Sequence, residues 1–276
     1  KRVTAALAGI QGPEAVAKLV ERRLAALEKA RSFIDWPRIK EFEKDLAATL
    51  ASITGEIGSG SASLAVALLL RFIATAGGVF ARTLSSGRLE DLYGEAIEAL
   101  GPLTVRLGPA ALADLPDRVM ALADRAGDIA PAMIGSLLEQ ASATDLDEWD
   151  RLLADKVAML QPGHLAHPYR VLRQAVAARR NDLDGWIALE NQKPGQLRDG
   201  LAVAEKLLAA GRAEEALSWL DVEEPSRLAY ADALDLADGV LRRDFRLPAR
   251  IALKARILEA LGRRQEAQGL RWATFE

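Results

Sequence analysis

Leu207-Leu208-Ala209-Ala210-Gly211-Arg212-Ala213-Glu214-Glu215-Ala216 and Leu258-Glu259-Ala260-Leu261-Gly262-Arg263-Arg264-Gln265-Glu266-Ala267 are one phrase written twice, 51 residues apart. In each, a leucine- and alanine-rich helix runs into a glycine, which takes the left-handed conformation that ends a helix without a Cβ penalty. The Glu-Glu-Ala and Gln-Glu-Ala runs that follow restart a helix at once. Helices joined by so short a turn lie antiparallel, and a repeated antiparallel pair predicts an α-solenoid, a right-handed superhelix of stacked hairpins.

Composition extends that reading to the whole chain of 276 residues, half of it apolar. Alanine and leucine dominate, aromatics are 5%, and β-branched residues rarely cluster, so an all-α fold with almost no sheet is expected. A net charge of -3 from 36 basic and 39 acidic residues gives no field that would gather nucleic acid or an anionic membrane. With no cysteine there are no disulfides, thiol nucleophiles or cysteine metal sites, which suits the cytoplasm. Lys1 to Ala8 reads as the tail of a helix and Arg271 to Glu276 carries no closing cap, so a fragment of a longer chain is expected.

Periodicity places the elements. Gly12-Pro13-Glu14 opens a helix whose stripe is Val16, Leu19, Val20, Leu24 and Leu27, and a second from Pro37 presents Ile39, Phe42, Leu46, Leu50 and Ile53. Gly55 to Ser63 reads as a flexible loop; a phosphate cradle there would need a preceding strand and a following Lys or third glycine. Ser59 to Ala81 is membrane-like except for Arg71, whose insertion would cost about 2.5–3.5 kcal/mol. A central helix buried by several neighbours is the better reading. Ser85-Ser86-Gly87 is a turn, prolines 109, 116 and 131 cut short helices, and Thr144-Asp145-Leu146-Asp147 reads as an acidic capping box. Gln161-Pro162-Gly163 marks a minor joint between an N-terminal array, 1–161, and C-terminal tetratricopeptide-like hairpins, 162–276, within what is expected to be one continuous superhelix. Helices are expected near 165–180, 183–191, 195–210, 213–220, 226–242, 248–261 and 264–276.

The C-terminal hairpins resemble the tetratricopeptide repeat family, with Gly211, Glu215, Ala216 and Pro225 in the matching roles. They depart from it in a short second helix and in a spacing longer than the family's period of about 34 residues. Over almost the whole chain, Arg31-Ser32-Phe33-Ile34-Asp35-Trp36, Leu70-Arg71-Phe72, Ser85-Ser86-Gly87-Arg88, Ile187-Ala188-Leu189-Glu190 and Arg271-Trp272 resemble the pattern of a family of uncharacterised bacterial helical proteins, mainly proteobacterial. That resemblance implies the helical fold and no particular activity.

Motifs for chemistry are sparse. His164 and His167 lack a third ligand, and Asp145, Asp147, Glu148 and Asp150 complement a helix N-terminus better than they make a calcium loop. No metal, cofactor or enzymatic role is expected. Loop-borne aromatics and arginines recur in recognition surfaces, so the candidate partner-binding residues are Phe33, Trp36, Arg71, Ser85, Ser86, Arg88, Arg250 and Lys254. The plainer alternative has Phe33 and Trp36 stapling one hairpin shut. A non-catalytic scaffold for a protein or peptide is expected, with RNA binding through the Arg250 and Lys254 face as the alternative.

Overall fold

The computed structural model describes residues 12–83, 87–160, 164–195, 198–221 and 247–272. The expected 226–242 helix, Pro225 and the Gln161-Pro162-Gly163 break lie outside them. Among the described residues the chain is helical, with no strand beyond a single bridge between Ile34 and Thr83. It forms two compact units, 1–176 and 177–276, which part later than the Pro162 break.

The first unit opens with α1 (Pro13–Lys29), α2 (Trp36–Ser52), α3 (Ala62–Ile73), α4 (Ala76–Phe80), α5 (Gly87–Glu98) and α6 (Leu100–Thr104). It continues through α7 (Pro109–Ala113), α8 (Leu115–Ala126), α9 (Ala130–Leu138), α10 (Asp145–Met159) and most of α11 (His167–Arg179), whose last three residues belong to the second unit. Proline begins α1, α2 and α7 within their first turns, where its missing N–H has no helical partner to lose. The center is α3, whose Leu68, Leu69, Leu70, Phe72 and Ile73 are buried while α1, α5, α6 and α8 pack around it. Ala62–Phe80 is long and apolar enough to cross a membrane, yet 61% of its apolar window is buried within the protein. Helices that converge on one apolar rod in this way form a bundle-like core.

Two local expectations change. The Gly55 to Gly60 loop is helical: a π-helical turn, Ile53–Ile57, continues α2 and is followed by a helical turn at Gly58–Gly60. Ile53 and Ile57 are fully buried, and a Cβ on Gly58 would stand 3.4 Å from Leu103 Cδ2 and 3.2 Å from the Ile53 carbonyl. Glycine serves close packing there, not a loop. The capping box sits at Ser142-Ala143-Thr144-Asp145, since Asp145 accepts from the Ser142 N–H at 3.1 Å and its own N–H reaches Ser142 Oγ at 3.4 Å. Thr144 makes no side-chain cap.

The second unit contains α12 (Leu183–Asn191), α13 (Gly200–Ala209), α14 (Ala213–Asp221), α15 (Leu247–Ala260) and α16 (Arg264–Trp272). α13 packs on α14, α14 on α15 and α15 on α16. The repeated phrase folds the same way twice. Gly211 and Gly262 have φ of 77° and 76°, and the next residue's N–H bonds to the carbonyl five residues back, Leu207 at 2.9 Å and Leu258 at 2.8 Å. Arg212 clamps Glu215 with two bonds of 2.7 and 2.6 Å, and Arg263 clamps Glu266 at the same distances. A third copy of the turn, which the glycine signal misses, lies at Asn181: its φ is 56°, and Asp182 N–H bonds to the Ala177 carbonyl at 2.9 Å. Asparagine is among the few residues that tolerate this conformation.

Candidate functional site

The α1–α2 connection runs through Ser32 to Asp35, bending at Ser32 and extended at Ile34 and Asp35. The Ile34 N–H donates to the Arg82 carbonyl at 2.9 Å, and Ile34 pairs with Thr83 in a parallel bridge. The aromatic turn therefore meets the chain that leads into Ser85-Ser86-Gly87, although Ser85 and Ser86 themselves lie outside the described residues. Alternation along an extended strand turns Ile34 inward, 9% exposed, and Phe33 outward, 52% exposed. Trp36, at the start of α2, is 66% exposed. Phe33 and Trp36 do not staple the hairpin; Ile34 does.

Side chains brace this loop from three sides. Arg31 donates to the Glu28 and Ala30 carbonyls at 2.8 and 3.0 Å, capping the end of α1. Arg38 donates to Asp35 at 2.6 Å and to the Phe33 carbonyl at 3.2 Å. Arg82, 8% exposed, lays its guanidinium over the Phe42 ring at 5.4 Å and reaches the Ser32 carbonyl from Nη1 at 3.3 Å. Its Nε and Nη2, and the Nε of Arg23, are buried without a hydrogen-bond partner. Burial holds Arg82 below the usual guanidinium range; the Tyr93 phenol opposes this, and the charges of Arg23 and Arg31 add to it. No sequence pattern marks Arg82. Only its place beneath the loop does.

The other expected residues fall elsewhere. Arg71 is bonded through Nε and Nη2 to both oxygens of Glu28, at 3.3 and 3.1 Å, and Arg125 reaches Glu28 at 2.9 Å. Burial raises the Glu28 carboxyl, but the hydrogen bonds and charges of Arg71 and Arg125 outweigh it and hold the group below the usual carboxylate range. A depressed carboxylate stabilises the fold above its unfolded value of about 4.3 and loses that contribution as pH falls through the folded value. Thermal denaturation between neutral pH and pH 3 should show this loss in the wild type and a shallower one in Glu28→Gln. With Arg125 nearly half exposed, the neutral-pH cost of the substitution is about 1 kcal/mol.

Arg88 pairs with Glu95 at 2.9 Å on α5. Arg250 donates to the Leu220 carbonyl. Lys254 lines a groove of about 380 Å³ with Leu217, Leu258, Arg263, Glu266 and Leu270. A wider groove of about 730 Å³ is lined by Glu259, Arg264, Gln268, Arg271 and the exposed Trp272. The acidic run before Arg151 is committed to structure: Asp145 caps α10, Glu148 pairs with Arg151, and Asp150 pairs with Arg173. Among the described residues no group of three or more His, Cys, Asp or Glu stands where it could hold a metal ion.

Fold and site together define an all-α protein in which two exposed aromatics, Phe33 and Trp36, sit on a braced loop above a partly unpaired arginine. The chain belongs to a family of unknown function, DUF6880, whose profile matches residues 1–276. No curated protein and no solved structure matches it.

Proposed function

We propose that this protein is a cytoplasmic, non-catalytic helical-repeat scaffold that binds a protein or peptide partner, with the Ser32 to Trp36 loop as a principal contact. The observation that carries this reading is the exposure of Phe33 and Trp36 on a segment whose backbone is fixed by the Ile34 to Arg82 hydrogen bond. Large aromatics on an anchored backbone supply much contact area for few rotatable bonds, the economy of binding hot spots. The repeated hairpins of the second unit support the solenoid, tetratricopeptide-like part of the reading. The mixed charge of their grooves, Glu259 and Glu266 beside Arg264, Arg271, Arg263 and Lys254, favours a protein partner over RNA.

Cross-linking mass spectrometry in cells of the source organism tests this. A recurrent partner cross-linked near α2 should be recovered with the wild type and lost with a Phe33→Ala/Trp36→Ala double variant. Because both side chains are exposed, that variant should stay within about 0.5 kcal/mol of wild-type stability per substitution. Recovery unaffected by the double variant, or material that is ribonuclease-sensitive RNA, counts against the reading.

A further inference from the structure

Two arginines at the aromatic loop, Arg31 and Arg82, have no carboxylate partner among the described residues. Asp35 in the loop is paired with Arg38, and Glu28, whose carbonyl Arg31 caps, is paired with Arg71 and Arg125. Arg31 and Arg82 are left with carbonyl oxygens alone, Glu28 and Ala30 for the first and Ser32 for the second. An arginine 8% exposed, with two of its guanidinium nitrogens buried and unpartnered, is an expensive arrangement, because buried charge is normally retained only when paired and hydrogen-bonded. Stacking on Phe42 offsets part of that cost but satisfies none of the N–H groups in their own plane.

We propose that this surface receives an acidic peptide of a partner protein, with an Asp or Glu carboxylate taken by Arg82 and Arg31 and a neighbouring apolar side chain laid against Phe33 and Trp36. The proposal rests on the scaffold reading above and names the chemistry of its partner. A carboxylate arriving beside Ser32 draws the guanidinium outward from Phe42. One long bond to a neutral carbonyl is exchanged for two parallel, charge-assisted bonds, the pairing that arginine's planar fork is shaped to make. Phe33 and Trp36 supply the apolar area that a lone ion pair near water lacks, and they shield the pair once it has formed. The bridge from Ile34 to Thr83 holds the aromatic and cationic halves of the surface in register before the peptide arrives.

The test is selection of random peptides displayed on phage against the immobilised full chain, followed by fluorescence anisotropy with the most enriched peptide. Enriched sequences should carry Asp or Glu beside an aromatic or aliphatic residue. Arg82→Gln should weaken binding about tenfold or more, and Arg82→Lys should weaken it less, since the charge survives while the fork is lost. Phe33→Ala/Trp36→Ala should abolish most of it. Exchanging the peptide's acidic residue for its amide should match the Arg82→Gln loss without altering the protein, which keeps the test valid if that variant folds poorly. Neutral or basic peptides that depend on Phe33 and Trp36 but not on Arg82 would overturn the acidic assignment and leave the scaffold reading standing. Peptides indifferent to both sets of variants, or no enrichment, would overturn both. Binding of polyuridylate or phosphatidylserine vesicles through these residues in place of peptide would overturn the assignment as well.

Discussion

Phe72→Ala should cost the first unit about 3–5 kcal/mol, seen as a lower denaturant midpoint with little change in slope. Phe72 is fully buried in the last turn of α3, and its ring lies 5.2 Å from that of Tyr93, which in turn meets Phe80 edge-on at 5.3 Å. Truncation removes the transfer free energy of a phenyl ring and leaves a void that the surrounding helices cannot close, because α1, α5, α6 and α8 already press on α3. It also loosens a buried polar pair. The Thr75 hydroxyl donates to the Phe72 carbonyl at 2.6 Å, so in its 2.8 Å contact with Tyr93 the phenol must be the donor. Burial pushes the Tyr93 phenol up to about 12, with the Thr75 hydrogen bond and the Arg82 charge opposing, so it keeps its proton throughout the physiological range. A loss below about 1 kcal/mol would mean that α3 is not the packing center.

The neighbouring glycines of α4 should respond to alanine in opposite directions. A Cβ on Gly77 would stand 2.7 Å from the Arg125 carbonyl oxygen, a backbone atom at the end of α8 that cannot turn away as a side chain would. Gly77→Ala therefore forces α4 and α8 apart, at about 1–3 kcal/mol. Gly78 is exposed and has nothing within 4 Å of its Cβ position, so Gly78→Ala gains helix propensity and should stabilise by about 0.5–1 kcal/mol. Thermal melts of the two single variants decide the matter. Equal effects would remove the close-approach argument, since propensity alone treats the two positions alike.

From the chain alone, Gly77-Gly78 looks like a weakness in an apolar helix. The structure separates a contact position from an exposed one, and that distinction depends on α8, which is far away in sequence. Gly58 repeats the lesson, as its role comes from Leu103. Where the deciding partner is local, the sequence is enough. Pro13 and Pro37 announce helix starts, and Gly211 and Gly262 announce turns that close on carbonyls only five residues back. Asn181 makes the same turn with a residue that also occurs in ordinary loops, so its signal is weak. Two overlapping patterns compete for the start of α10, one from Ser142 and one from Thr144, and only the hydrogen bonds separate them.

The candidate site was legible in part. Phe33 and Trp36 stood out as aromatics in a break between helices, but their exposure depends on Ile34 taking the inward position, which extended backbone assigns by alternation once the bridge to Thr83 is formed. Arg71 looked available and is bound to Glu28, whereas Arg82 carried no motif and lies directly beneath the loop.

What the amino-acid sequence determined by itself is the all-helical character, most of the helix starts and the repeated hairpin turn, because propensity, proline, glycine and capping act within a few residues. Only the tertiary structure decided which helix is central, which glycines are close contacts, and that the aromatic loop shares one surface with an incompletely paired arginine. Those outcomes depend on burial and on charges brought together from distant positions, and a linear pattern holds no record of which distant residue will arrive.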